Sequence, residues 1–591
     1  MKQTFIGILT EKMQNAFEKA GYDADMARVQ ASNRPDLCEF QCNGAMALAK
    51  RVGKNPLEIA QSVADVLQKE AGEVFSEVSV APPGFLNLKA SPAFLSSYLR
   101  TMCGEEDFGA EKTKTPKTIV LDFGGPNVAK PLHVGHLRSA VIGESIKRIL
   151  RFHGDRVVGD IHMGDWGLQM GLILTEVEMR DPSLPYFSKD YTGEYPKEAP
   201  FTIAELEEIY PAASAKSKED EAYHQKALDY TQRLQAGERG LRALWEHIIR
   251  VSVSDLQKNY DRLSVSFDLW NGESTVQPLI APMVEKMKQD GFAYESEGAL
   301  IVDVAKEDDK KEVPPCMILK SDGAALYTTT DLATIQDREE HFHPDAIYYV
   351  VDKRQELHFV QVFRCARKCG LLPEETELKH IGFGTVNGKD GKPLKTRDGG
   401  VMRLEWLIDD IDKAMLEKIK TNPEIPQEEA EETAKKVALA ALKYGDLSNL
   451  IAGNYIFDMD KFISFEGDTG PYILYTIVRA GSILKKAKEE GITLKEDLLP
   501  LPETEPEKKL MLTLASFAKK MEEAYEELAP SVICAYLYEL ANDFNSFYHT
   551  TKILSEKNEE KKKGYLALLK LAVGVMETCA DLLGFEAPER M

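Results

Sequence analysis

No stretch of the chain comes near the ~20 consecutive apolar residues that a membrane-spanning helix needs, because charged residues break every apolar window. A membrane association is therefore not expected. Cysteine is scarce, with eight in 591 residues. The two close pairs, Cys38/Cys42 and Cys365/Cys369, have the i, i+4 spacing of a helix and lack the C-x2-C of a zinc ribbon, so reduced, buried thiols and no zinc are expected. Positive charge is in deficit, with 73 Lys and Arg against 96 Asp and Glu and a net charge of −23. That weighs against nucleic acid as a partner, although a local basic strip can hold RNA on an acidic protein. The opening residues, MKQTFIGILTEKMQNAFEKAGYDADMA, place acids within an amphipathic pattern, which fits neither a signal peptide nor an acid-poor transit peptide, and a cytoplasmic location is expected. No internal repeat is found.

What is present is 43% hydrophobic and 29% charged residues over a length that calls for roughly three or four domains. Residues 1 to about 112 read as mixed helix and strand. A helix around FQCNGAMALAKRVG leads to Pro56 and a second helix, PLEIAQSVADVLQKEA, before the alternating FSEVSVA and FLNLKA predict paired strands joined through PPG. EEDFGAEKTKTPK is charged, ends its run at Pro116 and is expected to link domains.

From Thr118 a strand, TIVLDF, is followed by a Gly/Pro/Asn loop, a helix carrying Leu137, Val141, Ile142, Ile146 and Ile149, and a second strand, RVVGDI. This is the βαβ unit of a parallel sheet, whose ligands bind at the carboxyl ends of its strands. Residues 175 to about 310 read as a helical, polar insertion. The alternation resumes at GAALYTTTDLATIQDREE and at AIYYVVDKRQELHFVQVFRCARKCG; after VNGKDGKPLKTRDGG the pattern is helical to the end, split by SFEGDTGPY and the charge run SEKNEEKKKG. The charge run is read as a solvated face.

The loop before the first helix reads Pro126, Asn127, Val128, Ala129, Lys130, Pro131, Leu132, His133, Val134, Gly135, His136. A loop that leaves a parallel strand and enters a helix N-terminus aims backbone N–H groups and the positive helix end at one point, where a phosphate can sit. His133 and His136 can donate imidazole N–H bonds to its oxygens, Gly135 lets a flat base approach the backbone, and Lys130 adds a full charge. Two other readings of H-x-x-H stay open on these residues: a metal half-site, for which no third ligand is evident, and a pair of capping histidines. Further along, Lys392-Pro-Leu-Lys395-Thr396 has the K-x-x-K-[ST] layout that would bring cations to a pyrophosphate, or is a solvated turn.

HVGH resembles the HIGH signature of class I aminoacyl-tRNA synthetases and related nucleotidyltransferases, and KPLKT resembles a degenerate form of their KMSKS loop. PNVAKPLHVGHLRS, GDWGLQMG, SFEGDTGPY and the terminal PERM, with FQCNGAMALAK before them, together resemble the arginyl-tRNA synthetase family over essentially the whole chain. The resemblance implies a multidomain α/β plus α architecture: an α+β tRNA-contacting domain at 1–112, a class I Rossmann-like catalytic domain at 117–410 with its helical insertion, and an all-helical anticodon-binding domain at 411–591. It also implies that L-arginine and ATP, with Mg²⁺, give arginyl-adenylate and pyrophosphate, and that the terminal adenosine of tRNA(Arg) takes the arginyl group. Arginine activation in this family often waits for tRNA, and a monomer is expected.

The resemblance places Lys130, His133, His136 and Lys395 in catalysis and His133, Gly135, His136, Lys392 and Lys395 on ATP. It places Asn127, Tyr327, Asp331, Gln355 and, more weakly, Asp160 on arginine, where carboxylates and acceptors suit a guanidinium. On the residues alone Asp331 could instead cap a helix, Gln355 could start one and Tyr327 could be core. Many relatives have Asn where Ile161 stands and serines where Gly124-Gly125 stand, which implies a barer, more mobile loop here. Tyr444, Tyr455 and Tyr548 are candidates for stacking on RNA bases, against core packing. Two rival functions remain in view: another adenylate-forming enzyme of this fold, and an inactive paralogue that binds RNA or arginine.

Overall fold

Ile119, Val120 and Leu121 are consecutive and all buried, as befits a strand covered on both faces. In the computed structural model, which describes residues 3–321, 323–394, 402–423, 425–493 and 498–591, the strand Thr118–Phe123 lies inside a four-stranded sheet. It pairs in parallel with Arg156–Asp160 on one side and Ala346–Asp352 on the other, and Glu377–Phe383 extends the sheet beyond the latter. The helix Val134–His153 is the first crossover, and Leu137, Val141, Ile142, Ile146 and Ile149 are buried as their spacing predicts. So are Glu144 and Lys147, a pair 2.7 Å apart that periodicity does not foresee.

The chain folds as two compact units, each assembled from segments distant in sequence. The one built on the parallel sheet comprises Lys114–Lys418 and Gly445–Ile463; the other comprises Met1–Thr113, Ile419–Tyr444 and Ser464–Met591. In the second unit an antiparallel sheet has the order Val29–Ala31, Phe40–Cys42, Phe85–Ala90, Phe75–Ala81. The long helices Gly470–Glu489, Pro530–Thr550 and Glu559–Leu582 belong to the same unit.

Several expectations are corrected. Phe40–Cys42 is a strand, and the helix begins only at Gly44, because Asn43 and Gly44 interrupt the pattern before Ala45. Cys38 and Cys42 therefore share no helix; Cys365 and Cys369 do have helical spacing, with their sulfurs 4.0 Å apart. The insertion is not wholly helical, since Tyr294–Ser296, Ala299–Val302 and Cys316–Leu319 form a three-stranded antiparallel sheet. GAALY adds no strand to the parallel sheet. Ala325 makes one bridge to Leu319, and the helix Tyr327–Phe342 starts at once, its Thr329 hydroxyl accepting the Leu326 N–H at 3.1 Å.

Candidate active site

The loop leaving Phe123 is pinned. Gly124 has φ +86°, its N–H donates to Ser139 Oγ at 2.8 Å and its carbonyl accepts Tyr260 OH at 3.0 Å. The expectation of a bare, mobile turn at Gly124-Gly125 is therefore corrected at Gly124, where the absent side chain leaves room for the Phe267 ring. Ile161 is buried, its N–H bonded to Leu269 O at 3.2 Å, so its side chain offers nothing to a ligand.

From Pro126 the chain alternates. Val128, Leu132 and Val134 are buried, whereas Asn127, His133 and Gly135 face outward. Val128 N–H donates to Gly164 O and Gly164 N–H to Pro126 O, both at 3.0 Å, so the motif and GDWG lie side by side as a parallel bridge. A Cβ on Gly164 would stand 2.1 Å from Asn127 Oδ1: glycine is required there for Asn127 to keep its position. Ala129, at φ +57°, is held by its N–H on Ser252 Oγ at 3.0 Å, and the Lys130 ammonium lies 4.4 Å from the centre of the Tyr210 ring.

The histidines do cap the helix, and the way they cap it leaves each ring a donor for an oxygen ligand. His133 is the N-cap: its Nδ1 accepts the Gly135 N–H at 3.0 Å, while Nδ1 of His136 accepts the His133 N–H at 3.1 Å. A ring nitrogen that accepts a backbone N–H carries no proton, so both rings are the tautomer with the proton on Nε2. Burial and then Lys130 lower the pKa of His133; burial, the neighbouring His133 and Lys130 bring His136 down to about 3. Neither ring brings positive charge; each brings a neutral N–H donor. Gly135 also gains a reason beyond base stacking, because a Cβ there would meet His133 Cε1 at 2.7 Å.

Of the residues expected on arginine, Tyr327 and Asp331 lie in the first two turns of the helix Tyr327–Phe342, and Gln355 follows the carboxyl end of the strand Ala346–Asp352. Tyr327 is 63% exposed and is not core; Asp331 is in the second turn of its helix and is not its cap, which is Leu326. Asp331 Oδ2 is 2.5 Å from His358 Nε2, and the His358 ring is 5.0 Å from that of Tyr327. Gln355 is exposed at the N-cap of the helix Glu356–Lys368 and makes no side-chain cap bond. Two residues that the sequence leaves unmarked belong here. His358 is one, and Glu273 is the other, its carboxyl pushed up to about 7 by burial and by the charges of Asp165 and Asp331.

Asp160 is already engaged within the protein. It is 2% exposed, with Oδ2 accepting Arg338 Nη2 at 2.8 Å and Oδ1 accepting His162 N–H at 3.3 Å. The same Nη2 is 2.5 Å from Asp122 Oδ2, so a protein guanidinium already occupies that pair of carboxylates.

The second signature starts as a hairpin. Val386–Asn387 pairs with Tyr455–Ile456, Asn387 bridges Pro393, and the Gly388 N–H donates to Lys392 O at 2.8 Å, leaving the Lys392 side chain exposed. Lys395 and Thr396 lie outside the described residues.

Of the three tyrosines expected to stack on RNA, Tyr444 is fully buried, donating to Asp468 Oδ1 at 2.6 Å, and Tyr455 is 7% exposed. Both are core by burial, and each hydroxyl donates to a carboxylate of the protein, Tyr444 to Asp468 and Tyr455 to Asp446. Tyr548 is half-buried beside an outward-facing group on two helices: Arg479 lies 4.5 Å over the Tyr475 ring and 5.5 Å over Tyr548 and donates to Asn545 Oδ1 at 3.0 Å.

Comparison with known proteins gives three family matches. Residues 100–459 match the model described as tRNA synthetases class I (R), catalytic domain; residues 473–591 match the DALR anticodon binding domain; residues 7–90 match the arginyl tRNA synthetase N terminal domain. An arginine–tRNA ligase of Agathobacter rectalis is 59% identical over 99% of both chains, and one of Alkaliphilus oremlandii is 53% identical over 98% of both. The fold matches the crystal structure of arginyl-tRNA synthetase from Plasmodium falciparum at a TM-score of 0.79 with 23% identity, covering 100% of this chain and 99% of that one. For the Thermus thermophilus arginyl-tRNA synthetase the TM-score is 0.76 with 24% identity and 99% coverage of each.

Proposed function

The chain belongs to the arginyl-tRNA synthetase family, and from that premise we propose how its own residues carry the family's chemistry. The protein is an ATP-dependent arginine–tRNA ligase that forms arginyl-adenylate and pyrophosphate and passes arginine to the 3′-terminal adenosine of tRNA.

No side-chain nucleophile is needed, since the arginine carboxylate attacks the α-phosphorus and pyrophosphate leaves. The protein supplies position and electrostatic stabilisation. His133 and His136 donate from Nε2 to phosphate oxygens, and the observation that carries this role is the occupation of both Nδ1 atoms by backbone N–H groups. Lys130, Lys392 and Lys395 provide the positive charge that neutral imidazoles do not. Asn127 holds the polar end of arginine, and Asp331, Tyr327, Gln355 and Glu273, beside His358, receive its guanidinium. Asp160 acts through Arg338. Mg²⁺ would arrive on the ATP phosphates; among the described residues no group of three or more His, Cys, Asp or Glu forms a cage for it. Tyr475, Arg479 and Tyr548 present stacking and guanidinium surfaces to anticodon bases. The N-terminal 112 residues contact the tRNA, residues 117–410 with Gly445–Ile463 catalyse, and the helices within residues 473–591 read the anticodon. A cytoplasmic monomer completes the reading.

The test is ATP–pyrophosphate exchange with arginine and with other amino acids, each with and without tRNA. Exchange dependent on arginine and on tRNA is expected. Folded protein that exchanges with no amino acid under any condition would refute the catalytic assignments.

A further inference from the structure

The helix that bears the two histidines also grips both ends of the loop that bears Lys392. At the returning end the grip is backbone to backbone: Val134 N–H donates to Met402 O at 3.0 Å and Leu404 N–H to Leu132 O at 2.9 Å, with His133 bridging Arg403. At the outgoing end it is a side chain. Arg138 Nη1 donates to Gly384 O at 3.0 Å, to Ile451 O at 3.1 Å and to Gly453 O at 2.8 Å. Arg138 Nε lies 3.2 Å from Asp446 Oδ2, the guanidinium lies 5.3 Å over the Tyr455 ring, and the Tyr455 hydroxyl donates to the same Asp446 oxygen at 2.8 Å. Tyr455 in turn sits in the strand that pairs with Val386–Asn387, the stem of the Lys392 hairpin.

Stability alone gives a poor account of this cluster. Arg138 is 1% exposed and Asp446 not at all, and Arg138 Nη2 is buried with no hydrogen-bond partner among the described residues. Apolar side chains of equal volume commonly hold a fold as well as a buried ion pair does. What they lack is direction: a planar guanidinium fixes three carbonyls from two separate segments of chain relative to one helix. The residues so joined are the first after the strand Glu377–Phe383 and the turn before Tyr455, and the helix is the one whose N-terminus ends in His133 and His136.

We propose that Arg138, oriented by Asp446 and Tyr455, is a positioning residue for adenylate formation: it sets the spacing between the His133/His136 donors and the stem of the Lys392 hairpin. Both groups then meet one triphosphate without rearranging. The inference rests on the reading that this hairpin handles the ATP phosphates.

Tyr455→Phe removes one hydroxyl and keeps the ring. In ATP–pyrophosphate exchange with arginine and tRNA, the full-length variant is expected to lose about tenfold in kcat/KM for ATP, the effect of one hydrogen bond to a charged group. KM for arginine should stay within about twofold and Tm within a few degrees. Arg138→Lys, which keeps the charge and loses the fork, should show the same split more strongly. Equal losses for both substrates in proportion to unfolded protein, or unchanged ATP kinetics in both variants, would overturn the proposal. Lys392→Ala/Lys395→Ala separates the two levels: if it leaves ATP kinetics unchanged the underlying reading of the hairpin fails, whereas its impairment beside an unaffected Tyr455→Phe and Arg138→Lys refutes only the role of Arg138.

Discussion

Gly164→Ala tests the proposed arginine site without altering any residue assigned to substrate. The new Cβ would stand 2.1 Å from Asn127 Oδ1 and 3.1 Å from its Cγ. An ordinary C···O contact is about 3.3 Å, so the Asn127 amide must retreat by roughly 1.2 Å. Gly164 does not have a positive φ, the clash falls on the end of a side chain, and Asn127 is exposed, so the fold should lose less than about 1 kcal/mol. Catalysis should not escape so lightly. Displacing a group by about 1 Å from its productive position costs up to ~100-fold, and one lost hydrogen bond to a charged partner costs about 1.5–3 kcal/mol, or roughly 10- to 150-fold. The expected result is KM for arginine raised about 10- to 100-fold in pyrophosphate exchange, with ATP parameters little changed. Asn127→Ala should behave alike, and the double variant no worse than either single one, since both remove the same contact. An unaltered KM in Gly164→Ala beside a crippled Asn127→Ala, or additive effects in the double variant, would refute the reasoning.

Glu273 predicts a pH-dependent stability. Its folded pKa, about 7, lies above the ordinary carboxyl value, so its ionisation costs the fold nothing at pH 4 and progressively more up to pH 7, reaching on the order of 3 kcal/mol above that. Glu273→Gln should therefore melt above the wild type at pH 8 and level with it near pH 4; no gain at pH 8 would show that the carboxylate is already compensated. Arg479→Ala removes the cation between Tyr475 and Tyr548, and should weaken tRNA binding about tenfold in a filter assay while leaving KM for ATP unchanged; unaltered tRNA affinity would sink that surface as an RNA site.

The parts of this molecule that are legible in the sequence are those in which neighbouring residues decide the outcome. A run such as Thr118–Phe123 followed by a Gly/Pro/Asn loop and a periodic helix can bury its side chains in few ways, and the parallel sheet follows. The strand Phe40–Cys42 reads as helix because three residues carry too little pattern to oppose the helix that follows. Asp331 shows its acid but not its setting, since a carboxylate in a helix's second turn and one at its cap look alike in sequence. Glu273 goes unmarked because its raised pKa comes first from burial and then from Asp165 and Asp331, which lie 108 and 58 residues away along the chain (273 − 165 and 331 − 273).

By themselves, the residues His133 to His136 at the head of a helix pointed to a phosphate site, and their companions along the chain determined the family, because short-range spacing and residue chemistry survive without knowledge of the fold. Which of the carboxylates proposed for arginine are already paired within the protein was decided only in three dimensions, where Arg338 holds Asp160 and Asp122 and His358 Nε2 lies 2.5 Å from Asp331 Oδ2. Burial and charge pairing are sums over neighbours from distant parts of the chain, and only the folded chain brings those neighbours together.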